Sequence, residues 1–338
     1  MPTGWTRWGL VALAVGIAGL TLWLNASATR QRTASEGGSE RTALTEPLGS
    51  GVVSAAAFGT EVLWAEGPAL YKRTIGAADG ARTALASLTF RPTQVLWSPS
   101  GDAALLRKSG EPDTWVHARW ENLSAAASLH FGILTPSWST DGKRILYSFS
   151  GADATPIAVA NPDGSNWQVV MEPTHTIDRI WWPGSGVYAV GRDYTAKPPR
   201  YVRILMSSKR VETLAEHNDV NQMGVVPNPA GTLAVLDGTS DTTPTLRLTT
   251  LETGSVEALG VAGVTDRAAW QDDATLIAVT ADNAVVSVAV ATKKITTLGR
   301  WPATVPVPDR LIAATKERLV IEANGELSEV PRALIKSR

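Results

Sequence analysis

Apolar residues in this chain come in short runs, and each run stops at a turn signal. Val95-Leu96-Trp97 gives way to Ser98-Pro99-Ser100-Gly101-Asp102 and resumes as Ala103-Ala104-Leu105-Leu106. Ser137-Trp138 gives way to Ser139-Thr140-Asp141-Gly142 and resumes as Ile145-Leu146-Tyr147. Asp141-Gly142 supplies the positive φ of a tight hairpin turn, so the segment reads strand, turn, strand. The device returns after Trp182, Val226 and Trp270, so the anchors fall at 97, 138, 182, 226 and 270, a period of about 41 to 44 residues. That period is the length of one four-stranded propeller blade. Runs this short, rich in Val, Ile, Leu and Thr, predict strands and leave no room for a long amphipathic helix.

Extending the period both ways gives an all-β, seven-bladed β-propeller; the same spacing leaves six or eight blades as alternatives, and an all-β sandwich as the rival architecture. The expected blades run 52–88, 95–130, 136–173, 179–217, 223–260, 267–300 and 305–335. The first and last rest on period alone. Trp97, Trp138, Trp182 and Trp270 each stand where blades converge, and a large flat ring there fills the wedge between neighbouring sheets.

Trp97-Ser98-Pro99-Ser100-Gly101-Asp102 and Trp138-Ser139-Thr140-Asp141-Gly142-Lys143 resemble the W-S-P-D-G-K core of TolB-like propeller repeats, a WD-type repeat architecture. Pro156 to Trp167, with its Asp163-Gly164 turn, is similar to that family's next strand and turn. Trp182-Pro183-Gly184, Val226-Pro227-Asn228 and Trp270-Gln271-Asp272 depart from the core. The resemblance implies an exported propeller that binds other proteins, and it implies no chemistry, because the repeat residues are structural.

Before the repeats the pattern changes. Trp8 to Leu24 carries no charged side chain, and as a helix it would be roughly 25 Å long. Trp5, Trp8 and Trp23 stand where interfacial anchors stand. We therefore expect residues 1–28 to form a signal anchor, a single transmembrane helix. The rival is a signal peptide cleaved after Ala28, since Ala26-Ser27-Ala28 is a small-x-small site and Arg7 supplies a positive start. Arg30, Arg32 and Arg41 favour a cytoplasmic C-terminus, whereas a leader this close to the start exports the domain behind it. The expectation is export, with the propeller extracytoplasmic. Residues 29–51 read as a flexible polar linker, which sets the propeller at 52–338.

Composition narrows the chemistry. A net charge of −1 with 19% charged residues excludes the basic surface of a nucleic-acid binder. The absence of cysteine excludes disulfides, thiolate metal sites and cysteine nucleophiles. His117, His130, His175 and His217 show no metal-ligand spacing, and no cofactor is expected. Gly184-Ser185-Gly186 belongs to a turn. Asn161 to Asn166 lacks the rest of a calcium loop. Asp102, Asp141, Asp193 and Asp272 are the carboxylates available for glycosidase acid–base work in a central channel.

One segment departs from the neutral average. Arg192, Lys197, Arg200, Arg203, Lys209 and Arg210 face the single acid Asp193, with Tyr194 and Tyr201 interleaved and Pro198-Pro199 in the loop. A binding edge for an acidic partner or an anionic headgroup is the functional reading, and a solvated basic edge is the plain one. On the first reading, glutamine at Arg200 and Arg203 would leave folding intact. No residue set reaches a catalytic constellation. The expected function is a membrane-anchored, non-enzymatic protein-binding scaffold among envelope or membrane proteins; the alternative is a carbohydrate-binding or carbohydrate-active propeller.

Overall fold

The computed structural model describes residues 45–335, apart from 78–80, 111–113, 131, 151–154, 173–175, 184–186, 220–221 and 239–242. The expected anchor 1–28 and most of the linker lie outside the described residues. Among those described, no helix is long and apolar enough to cross a membrane.

The strands form seven four-stranded antiparallel sheets. In chain order, β1 is Glu46–Ser50 and blade 1 follows with β2 (Val52–Phe58), β3 (Glu61–Glu66), β4 (Ala69–Thr74) and β5 (Thr83–Ser87). Blade 2 holds β6 (Gln94–Trp97), β7 (Ala103–Lys108), β8 (Thr114–Arg119) and β9 (Ala127–Ser128). Blade 3 holds β10 (Ile133–Trp138), β11 (Ile145–Phe149), β12 (Ile157–Ala160) and β13 (Gln168–Met171). Blade 4 holds β14 (Ile177–Trp181), β15 (Tyr188–Asp193), β16 (Arg200–Leu205) and β17 (Arg210–Glu216). Blade 5 holds β18 (Val225–Pro227), β19 (Leu233–Gly238), β20 (Thr245–Thr250) and β21 (Val256–Ala262). Blade 6 holds β22 (Ala268–Asp272), β23 (Thr275–Val279), β24 (Ala284–Ala289) and β25 (Lys294–Arg300). Blade 7 holds β26 (Arg310–Ala314), β27 (Arg318–Ala323) and β28 (Glu326–Pro331). Its fourth strand is β1.

Packing explains the burial along each blade. The second strand is covered on both faces, so it reads as a continuous apolar run such as Ala103-Ala104-Leu105-Leu106 or Leu276-Ile277-Ala278-Val279, buried throughout. The outermost strands β5, β13, β17 and β25 consist mostly of exposed and half-buried residues. Buried apolar residues group into one cluster at each seam between consecutive blades, seven in all among the described residues. Trp97, Trp138 and Trp182 enter three of these clusters at 6–7% exposure, while Trp270 is half-buried against a fourth. The turn signals behave as their residues require. Gly101, Gly142 and Gly231 all have φ near +67° (66° to 69°), and each donates its N–H to the carbonyl three residues earlier at 2.9 Å.

One boundary needs correcting. Residues 46–50, expected as linker, form β1, which pairs antiparallel with β28 from Glu46↔Glu329 to Ser50↔Glu326. The first described strand thus completes the last blade. Pro47 and Gly49 break the strand pattern, and the partner lies at the far end of the sequence, so no local signal marks the strand. Gly49 is required here, because a Cβ would fall 2.5 Å from Trp64 Nε1. Leu48 joins Ala55, Trp64, Val320 and Leu327 in the seam between blades 7 and 1. A charge network fixes the same seam. The fully buried Glu329 accepts from Arg318 at 3.1 Å and from the Gly76 N–H at 2.9 Å, while the buried Arg73 binds Glu46 on β1 and the Ala77 carbonyl.

Candidate functional site

Antiparallel connection gives the ring two unlike ends. The turns after the first and third strands of every blade share one end, the turn side; the loops after the second strands and the linkers between blades share the other, the loop side.

This division splits the basic segment. Arg192, Tyr194, Lys197 and Arg200 flank the β15–β16 connection on the loop side, whereas Lys209 and Arg210 sit in the β16–β17 turn at the opposite end. Arg192 forks onto Asp178, with Nε donating to Oδ1 at 2.9 Å and a second nitrogen bonding Oδ2. Asp193 is fully buried; it accepts from Arg200 at 3.0 and 3.1 Å, from the Thr195 hydroxyl at 3.0 Å and from the Ala196 N–H at 3.2 Å. The carboxylate folds the loop over itself and spends Arg200 in doing so. Tyr194 and Lys197 are left exposed at the tip.

Two of the expected contact residues are structural. Tyr201 is fully buried, stacks edge-on to His217 and donates to the Gly224 carbonyl at 3.0 Å; burial pushes its phenol well above the ordinary tyrosine range. Arg203, 8% exposed, pairs with Glu212 and donates to the carbonyls of Leu251 and Glu252, bracing blade 4 against blade 5. Because these side chains alternate with Arg200 and Val202 along a strand packed on both faces, inward positions cannot reach a partner.

The four carboxylates considered for a channel do not converge. Asp102 accepts from Ser98, Ser100 and Arg119, Asp141 from Ser139 and the Lys143 N–H, and Asp272 from the Ala274 N–H. These three cap turn-side hairpins of separate blades, and Asp193 lies at the other end of the ring. Asn161 to Ser165 is a turn, with Gly164 donating to the Asn161 carbonyl at 2.9 Å. Among the described residues no three His, Asp or Glu side chains converge as a metal site.

The loop side also holds a group that sequence reasoning missed. Asp237, 2% exposed, accepts from the Thr265 N–H at 2.6 Å, the Thr265 hydroxyl at 2.7 Å and the Gly224 N–H at 2.8 Å. Burial outweighs these bonds and lifts its carboxyl to about 6. Thr265–Arg267 form a short 3-10 turn in the linker from blade 5 to blade 6. That turn walls a cavity of about 340 Å³ together with Pro244, Gly263, Val279 and Asp309. Nothing in Leu236-Asp237-Gly238 distinguishes this aspartate from a hairpin residue. Its partners, Gly224 and Thr265, come from two different linkers.

No family model and no curated protein matches the sequence. Solved structures similar in fold include an oligogalacturonate lyase in complex with manganese (TM-score 0.59, 10% identity, 86% of this chain and 94% of that one). A chain of a mitotic checkpoint complex aligns at TM-score 0.52 and 13% identity, over 82% of this chain and 86% of that one. TolB from Acinetobacter baumannii aligns at TM-score 0.48 and 11% identity over 78% of this chain, which spans 59% of TolB's length. At such identities the likeness is one of fold.

Proposed function

We propose that this chain is a non-enzymatic binding propeller, exported, held at the membrane by the apolar segment 8–24, and docking an acidic partner of the cell envelope on its loop side at blade 4. The observation that carries the reading is the loop held by Asp193. A buried carboxylate fixes the backbone through Arg200, Thr195 and Ala196, and presents Tyr194 and Lys197 to solvent. An exposed aromatic beside a cation on a rigid loop suits a polypeptide partner. The turn-side carboxylates are each engaged in hairpin caps, which favours binding over acid–base chemistry.

The experiment is crosslinking in intact cells with the full-length protein, comparing wild type with Tyr194→Ala/Lys197→Glu. The variant should fold normally and lose the partner recovered by the wild type, with the wild-type complex weakening as salt rises. Retention of the same partner at the same salt tolerance would remove blade 4 from the interface. Protease added to spheroplasts should digest the propeller; protection would place it in the cytoplasm.

Carbohydrate binding is the second reading, favoured by Trp167. Its ring is 55% exposed, with His130 and Phe149 each 6.4 Å away, a surface on which a sugar ring can stack. Glycan binding lost in Trp167→Ala would support it.

A further inference from the structure

The innermost strands of blades 1, 3, 4 and 7 each carry one extra residue near their loop-side start: Val53, Leu134, Asp178 and Ile312. The next residues are Ser54, Thr135, Arg179 and Ala313. Three blades therefore place an apolar residue and a small one at this bulge, and blade 4 places a carboxylate and a guanidinium. A bulge re-aims side chains, and it does so here on the strand nearest the central channel.

Arg179 stands directly opposite Arg192 across the β14–β15 pair, an arrangement of like charges that costs stability in a sheet. Asp178 is the carboxylate of the same bulge, and Arg192 takes both of its oxygens. Among the described residues Arg179 has no hydrogen bond or ion pair; its guanidinium lies 5.7 Å from the Trp181 ring centre. Burial, then the neighbouring Arg192, lowers its pKa below the ordinary arginine value. Besides Asp178, the acid that acts on it is Asp266, from the linker between blades 5 and 6. That aspartate also lines the 340 Å³ cavity.

We propose that Arg179, with Arg192 opposite it, anchors a carboxylate-binding site at the loop-side mouth of the channel. A guanidinium resting near an indole keeps its planar edge for a two-oxygen acceptor, which a carboxylate matches. Asp266 sets the charge that the site accepts. It repels a doubly charged phosphate about twice as strongly as a singly charged carboxylate. The site does not depend on the blade 4 loop being a protein-docking face, since none of its residues is at the tip of that loop.

The test is calorimetric titration of the purified full-length protein with N-acetylglycine and, separately, inorganic phosphate at matched ionic strength. Wild type should bind N-acetylglycine saturably and more tightly than phosphate. Arg179→Gln should weaken that binding by about tenfold or more, Arg179→Lys by less, and Asp266→Asn should tighten it several-fold. The Asp266→Asn arm decides if Arg179→Gln fails to fold. Absence of saturable binding in the wild type, equal binding by Arg179→Gln, no gain in Asp266→Asn, or a preference for phosphate would each overturn the proposal. Loss of partner capture in Tyr194→Ala/Lys197→Glu leaves this titration unchanged, so the two readings fail separately.

Discussion

The indole nitrogen of Trp138 donates to the Leu96 carbonyl at 2.9 Å across the seam between blades 2 and 3. Trp270 makes the same bond to Val226 at 2.9 Å between blades 5 and 6. The partners are 42 and 44 residues apart, so the sequence period is also the span of an inter-blade hydrogen bond. Trp97, equally buried, has an indole nitrogen with no partner among the described residues.

That contrast gives the first prediction. Trp138→Phe keeps a ring in the seam but strands a carbonyl, and should cost about 1–3 kcal/mol. Trp97→Phe removes an N–H that was already unpaired and should cost less. Trp138→Ala should cost about 3–5 kcal/mol through the cavity it leaves. Urea unfolding of the variants measures all three, and equal costs for the two phenylalanine variants would deny the hydrogen bond its role.

The second concerns the seam between blades 7 and 1. Glu329→Ala leaves the buried Arg73 with the part-exposed Glu46 as its only acid in the network, and should destabilise the fold by about 3–5 kcal/mol. Replacing Arg73 by Met in the same chain should recover a good part of the loss. Failure of the double variant to recover any would mean that Glu329 acts through Arg318 and Gly76 alone.

The third is a pH dependence. Asp237 has a folded-state carboxyl raised to about 6 from 3.8. Its contribution is fully present below the unfolded value and is lost as pH rises through about 6, a swing of up to about 3 kcal/mol. His117 and His217 are lowered by burial, so their protonation opposes this trend as pH falls, in wild type and variant alike. Thermal unfolding of wild type minus Asp237→Asn isolates the aspartate: the difference should move in favour of wild type between pH 7 and pH 4. A difference flat with pH would show that Asp237 titrates normally.

The fourth separates the basic residues. Arg203→Gln should cost a few kcal/mol, because it strands the carbonyls of Leu251 and Glu252, whereas Glu212 keeps Arg210 and solvent. Lys197→Gln, at an exposed tip, should stay within about 0.5 kcal/mol. Chemical denaturation distinguishes them, and a silent Arg203→Gln would return that arginine to the surface.

The blade period was legible because the hairpins of blades 2 and 3 carry their own turn chemistry: Ser98 to Asp102 and Ser139 to Gly142 specify their geometry within a few residues, and the first and last blades followed from the period alone. Ring closure was not legible, since Glu46–Ser50 acquires its strand character only from β28. At the candidate site the charges were visible and their partners were not. Arg192 finds Asp178 across a bulge, and Arg203 finds carbonyls 48 and 49 residues away. A composition count treats both as free cations. Burial of Tyr201 follows from packing on both faces of β16, which alternation along one strand does not reveal.

The pairing of β1 with β28 also sets an order of events. Glu46 and its contact Arg318 are 272 residues apart, so a chain made from its N-terminus carries the closing strand unpaired until nearly all of the ring has been synthesised. Blades 1 to 6 each hold all four of their own strands and can form as they emerge; blade 7 cannot. Stacking of the earlier blades brings the two ends together and removes most of the entropic cost of that long closure. Docking of Glu46–Ser50 is therefore the last topological step, and until it occurs β28 offers an open edge to any other extended segment.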